Sequence, residues 1–234
     1  MDKHTRKELK SDKFALEVQH SVEYVSVHRQ QMIRWGAPAL ALALIVAGVF
    51  YYRNYQHNAR QEALHQAMRI QNAGVGPSQT EYVIAFPTAE ARKVAVMKSW
   101  QDLATKYSGT EEGRIAEFFL GTNVADDGNM AEAEKHFKAS IDSGDGAYAS
   151  MGKLALAQVY AGEGRVKEGA ALLQSLIDHP TVLVSKETAT FALADLLKTS
   201  DRQRARKLVE PLRTSTRSAV SRAAINLDGE LNQQ

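Results

Sequence analysis

Seven histidines, no cysteine and two adjacent acidic pairs are the side chains from which chemistry would have to be built in this 234-residue chain. His20 and His28, like His57 and His65, stand eight positions apart. On one helix that separation rises about 12 Å, which a single metal ion cannot bridge. No HExxH pattern or other ligand cluster exists. The absence of Cys excludes disulfides, thiolate metal sites, thiol nucleophiles and a lipid anchor on Cys, and it suits an oxidising compartment. Glu111/Glu112 and Asp126/Asp127 fall at predicted helix starts or turns, where carboxylates cap and complement the helix dipole and have no call on acid–base work. Gly162 and Gly164 follow no strand, and no nucleophile elbow, Walker or dinucleotide pattern is present. The expectation is a protein with no catalytic residue, no cofactor and no metal. A formal net charge of +2, with no face conspicuously basic in the sequence, gives no reason to expect nucleic acid as a partner.

The glycines have a different explanation once the elements around them are considered. Leu120, Gly121, Val124, Gly128, Ala133 and Phe137 return thirty-six positions later as Leu156, Ala157, Tyr160, Gly164, Gly169 and Leu173. A weaker third copy reads Leu193, Ala194, Leu197, Ala205 and Val209, with the shorter turn TSDRQ lacking the Gly. A period of this size marks stacked helix pairs. Two antiparallel helices need small residues where their axes cross, which Gly121/Ala157/Ala194 and Ala133/Gly169/Ala205 supply. The turn Gly provides a left-handed backbone, and the Phe or Leu four residues after the small position fills the space against the next pair.

This arrangement resembles the tetratricopeptide repeat, with its Leu-small-x-x-Tyr first helix and Ala-x-x-x-Phe second helix ending near a Pro. Pro180 stands at that last place in the second copy, while Asp145 replaces it in the first and Glu117 and Lys153 occupy the usual Trp position. The resemblance covers residues 90–231, ending in a capping helix from Ser218 to Leu231 with Val220, Ala224 and Leu227 inward. Ahead of it, Ala63, Ala67 and Ile70 with Val96, Trp100, Ala104 and Tyr107 read as a leading repeat. It is split by AGVGPSQTEYVIAFPTA, residues 73–89, which is expected to be a loop.

In such scaffolds the first helices line the concave face. By repeat register the expected partner-binding residues are Phe118 and Thr122, then Met151, Leu154 and Gln158, then Phe191, Asp195 and Lys198. An apolar floor with a polar margin suits an extended or helical segment of a partner. The alternative is that Phe118, Leu154 and Phe191 are covered by the 73–89 loop or a neighbouring helix. Lys198 alone makes a poor clamp for a C-terminal carboxylate.

One stretch departs from a soluble pattern. WGAPALALALIVAGVFYY, residues 35–52, holds eighteen residues without a charge. As a helix it reaches roughly 27 Å, close to the hydrocarbon thickness of a bilayer. Trp35 at one end, Phe50, Tyr51, Tyr52 and Tyr55 at the other, and the flanking Arg34 and Arg53 suit the two interfaces. The preceding tail is too long and too acidic for a cleaved signal peptide, so a signal anchor is expected. Within residues 1–34, the first twelve read as disordered. Phe14, Val18, Val22 and Val25 then form the stripe of a juxtamembrane helix, broken at Trp35–Pro38. Residues 53–89 are a helical extension and loop. Seven Lys/Arg in the tail against five acids favour a cytoplasmic N-terminus.

The fold expected is all-α: one transmembrane helix followed by a right-handed helix-hairpin solenoid. From about residue 32 onward the layout resembles the ancillary subunit of the Sec translocon, whose repeat domain is shared with a cell-division coordinator of the envelope. That resemblance implies a single-pass bacterial inner-membrane protein with a periplasmic repeat domain. Its partners would be translocon subunits, periplasmic chaperones or nascent exported chains. The alternative is a structural tether or envelope coordinator that self-associates, as a homo-oligomer, and binds no client in its groove.

Overall fold

The computed structural model describes residues 3–77, 84–142 and 146–233, with side chains in the first helix described at Gln30 and from Arg34 onward. Asp145 and the stripe Phe14, Val18, Val22 and Val25 lie outside what it describes. By contacts the chain falls into two units, Met1–Ala59 and Arg60–Gln234.

Helix α1 runs unbroken from Lys3 to Gln71. The expected disordered start and the break at Trp35–Pro38 are therefore both corrected. Pro38 removes one backbone donor, and the helix continues past it into the Ala- and Leu-rich run that follows. Among the described residues, one stretch, within α1, is long and apolar enough to cross a membrane, and its side chains are exposed throughout.

Among the described residues, the regular structure of the second unit is helical apart from one feature. The segment expected to be a loop contains two short strands, β1 (Gly74–Val75) and β2 (Ala85–Phe86), paired in parallel and packed on α2 (Ala89–Lys106). Then come α3 (Glu111–Asp126), α4 (Met130–Ile141), α5 (Ala147–Gly162), α6 (Val166–Asp178), α7 (Lys186–Leu197) and α8 (Arg202–Val209). A 3₁₀ turn (Glu210–Thr214) and α9 (Ser218–Gln233) close the chain. Each helix packs on the next, and α3, α5 and α7 also touch in succession, forming the layer of first helices.

The repeat positions carry this packing. Leu120, Ala133, Phe137, Leu156, Ala157, Leu173, Leu193, Ala194, Ala205 and Val209 are all buried. A Cβ at Gly121 would lie 2.7 Å from the Phe137 ring, and one at Gly169 would lie 3.2 Å from the Ala157 carbonyl oxygen. Close approach of the paired helices needs these hydrogens. Both turns share one backbone. Gly128 and Gly164 have φ of 83° and 73°. The Asn129 N–H donates to the Val124 carbonyl at 3.1 Å, as the Arg165 N–H does to that of Tyr160 at 2.8 Å. These are Schellman closures, in which a left-handed Gly lets the chain reverse. The third turn manages without Gly because Lys198 stays right-handed and Asp201 caps α8 by accepting from the Arg204 N–H.

The leading repeat forms as the sequence suggests. Ala63, Leu64, Ala67, Met68 and Ile70 pack with Val96, Trp100, Leu103 and Ala104. Trp100 is fully buried, stacks on Phe119 at 4.4 Å and donates its indole N–H to the Gln71 side chain at 2.7 Å. At the far end Ala224 and Leu231 of α9 cover the last core, with Leu227 packed against it.

Candidate functional site

The first helices present their outward stripes to a common hollow. On α3 these are Phe118, Thr122, Ala125 and Asp126; on α5 they are Met151, Leu154, Ala155, Gln158, Val159 and Gly162. The spacings of three and four put each set on one helical face. Met130 and Phe137 of α4 and Glu163 complete the lining of a cavity of about 520 Å³.

The floor is apolar and braced. Phe118 is buried, packing edge-on to Phe119 at 5.3 Å and to Tyr148 at 5.9 Å, so its ring is fixed from behind. Thr122 turns its hydroxyl into its own helix, donating to the Phe118 carbonyl at 3.0 Å. Leu154 and Met151 are half-buried, and Met130 is 43% exposed. Two unbranched thioethers at the mouth let the lining adapt to different apolar shapes.

One end of the hollow is electronegative. Helices α3 and α5 both terminate there, so the negative ends of two helix dipoles point the same way. Asp126 adds a charge with no ionic partner among the described residues, and Asp127 beside it is bound by Lys93 at 2.7 Å. These acids were expected at a helix start or a turn, and of the two it is the turn that they enter. They stand at the carboxyl end of α3, where the dipole opposes them, and Asn129 caps α4. Glu163 shares a single guanidinium, that of Arg165, with Glu134 and Glu168. Glu111 and Glu112 do lie in the first turn of α3. Burial pushes the Glu112 carboxyl up, but its own backbone N–H, Gln61 and Arg60 hold it below the usual range.

Of the residues expected on the groove, Phe118, Thr122, Met151, Leu154 and Gln158 line this cavity, and Phe191, Asp195 and Lys198 do not. Phe191 packs against the C-terminal core, while Asp195 and Lys198 pair with each other at 2.8 Å on the surface. No described residue of 73–89 lines the cavity. Register reasoning missed Asp126, Met130 and Glu163 because it followed the apolar stripe and stopped before the turns. Among the described residues, no group of three His, Asp or Glu is placed to hold a metal; His136, for one, pairs with Glu117 at 2.7 Å.

Stacked hairpins with small residues at their crossings and left-handed Gly turns define a family, and the family described as tetratricopeptide repeat-like domain matches residues 30–179. The chain belongs to the tetratricopeptide repeat-like family. No curated protein and no solved structure matches it. The tetratricopeptide match starts at the head of the apolar stretch in α1 and ends with α6, so the cavity falls inside it and α7–α9 fall beyond. Repeat domains of this type are generally non-catalytic and serve protein–protein interaction.

Proposed function

We propose that this protein is a membrane-anchored scaffold that docks polypeptides in the α3–α5 hollow, beside the Sec translocon. The observation carrying the proposal is the hollow itself, with its apolar floor, Met-lined mouth and electronegative end within the matched domain. The segment that fits it has a few apolar side chains and a Lys or Arg at one end. Anchoring concentrates the hollow at the bilayer surface, which favours partners that arise there without any additional contact.

Inclusion of the apolar stretch in the family match supports its being part of the architecture and not an appended leader. On this reading the N-terminus is cytoplasmic, the repeats are periplasmic, and the partners are translocon subunits, chaperones or emerging chains. Two experiments test it. Because the chain has no Cys, Asp127→Cys gives a single label site. A membrane-impermeant thiol reagent is expected to label it from the periplasm, and labelling only after the inner membrane is broken would refute export. Isolation from detergent-solubilised membranes is expected to recover translocon subunits with the native chain and not with Leu154→Asp. Equal recovery with both would refute the hollow as the docking site.

A further inference from the structure

We infer that the outer face of the C-terminal hairpin is a second docking surface, separate from the hollow, whose partner is an acidic polypeptide segment. Residues 202–222 hold seven cations, Arg202, Arg204, Arg206, Lys207, Arg213, Arg217 and Arg222, against the single acid Glu210. That is a net +6 in a chain of net +2, so all other residues together carry −4. The expectation that no face is conspicuously basic is corrected here: the sequence total hides a segregation of charge that the fold gathers on one hairpin.

All seven cations are exposed. Helix α8 turns Ala205 and Val209 fully inward, and Leu208 and Leu212 pack on the same core. Its apolar side is thus used up in folding, and what it offers to solvent is cationic. Neutralisation within the chain is partial. Asp228 of α9, itself buried, lies 3.5 Å from the Arg206 guanidinium and 3.1 Å from that of Arg213, and Arg217 pairs with Glu187. Arg202, Arg204, Lys207 and Arg222 have no carboxylate partner among the described residues.

Between α8 and α9 these groups border a cleft of about 370 Å³, lined by Gln203, Arg206, Lys207, Glu210, Arg213 and Asp228. One carboxylate draws two guanidiniums together at the cleft while most of their N–H donors stay uncommitted. The recognition this allows is bidentate, from Arg to carboxylate, and six of the seven cations are Arg.

Other anionic partners fit less well. No aromatic residue occurs in 202–222, so there is no platform on which bases could stack. No large apolar side chain of α8 points outward to enter a bilayer interface. A run of Glu or Asp on a polypeptide needs neither. The face lies beyond the matched residues 30–179, so it does not depend on the hollow.

The test uses the full chain in nanodiscs of neutral lipid and a short, fluorescently labelled Glu-rich peptide, with a Gln-rich peptide as its uncharged counterpart. The Glu-rich peptide is expected to bind, the Gln-rich one not, and binding is expected to weaken about ten-fold between low and physiological salt. Arg202→Glu combined with Lys207→Glu touches no internal ion pair. It is expected to weaken binding by a further factor of about ten at an unchanged unfolding temperature. Leu154→Asp is expected to leave it unaltered, so a failure of the hollow is told apart from a failure of this face. Equal binding of both peptides, or binding unmoved by the double variant, would overturn the inference. Displacement of the peptide by phosphatidylglycerol vesicles but not by excess unlabelled peptide would overturn it in favour of a lipid surface.

Discussion

Three triplets of small residues hold the helices together, and only two of them follow from the repeat as read in the sequence. Gly121, Ala157 and Ala194 face the second helix of their own hairpin. The third triplet, Ala116, Gly152 and Ala189, is buried five positions earlier and was missed. A Cβ at Gly152 would come 2.3 Å from the Ser140 hydroxyl oxygen, so this position seats a first helix on the preceding second helix. Its residues are small but not distinctive, and Ala occurs so often in helices that spacing alone does not single them out. Gly121→Ala gains helix propensity and loses space against the Phe137 ring. The loss dominates, because the ring is buried, and the variant is expected to be less stable by about 1–3 kcal/mol. Gly162→Ala meets nothing within 4 Å and is expected to be neutral or slightly stabilising. Thermal unfolding of the two variants checks this, and equal behaviour would contradict it.

Elements were legible where an apolar period was strong and hidden where side chains acted singly. The hairpins α3–α4 and α5–α6 follow from their repeated Leu-small and small-x-x-x-Phe/Leu positions. The strand pair β1–β2 did not, because two-residue strands have no alternation to read. Nor did the lock between hairpins, in which Arg165 reaches from the second turn to Glu134 of α4 at 2.9 Å while covering the Tyr160 ring at 3.9 Å. Lys138, with Arg165 next, holds the Glu134 carboxyl at about 2, against 4.5 when unperturbed. A depressed carboxyl stabilises the fold above its unfolded value and ceases to do so as pH falls through its folded one. The native chain is therefore expected to unfold at a higher temperature than Glu134→Gln near neutrality. The difference should shrink between about pH 4.5 and about pH 2. A difference that stays constant across that range would show that the lock acts by packing alone.

At the scale of the whole molecule, the fold places two surfaces of opposite character along one run of hairpins. The hollow between α3 and α5 is apolar with an acidic end, and the α8 face is cationic. The first was half legible, because five of its lining residues follow from register, whereas its acidic end depends on where two helices stop. The second was illegible in the net charge, since a near-neutral total is compatible with any distribution. The central claim is that the hollow receives another polypeptide. Photocrosslinking in native membranes from a photoreactive residue in place of Leu154, with one in place of the exposed Lys135 as control, tests this most directly. The account predicts adducts from position 154, and not from 135, to identified translocon subunits, chaperones or exported chains. Adducts from 154 only to the chain itself or to a second copy would contradict it and leave a self-associating tether.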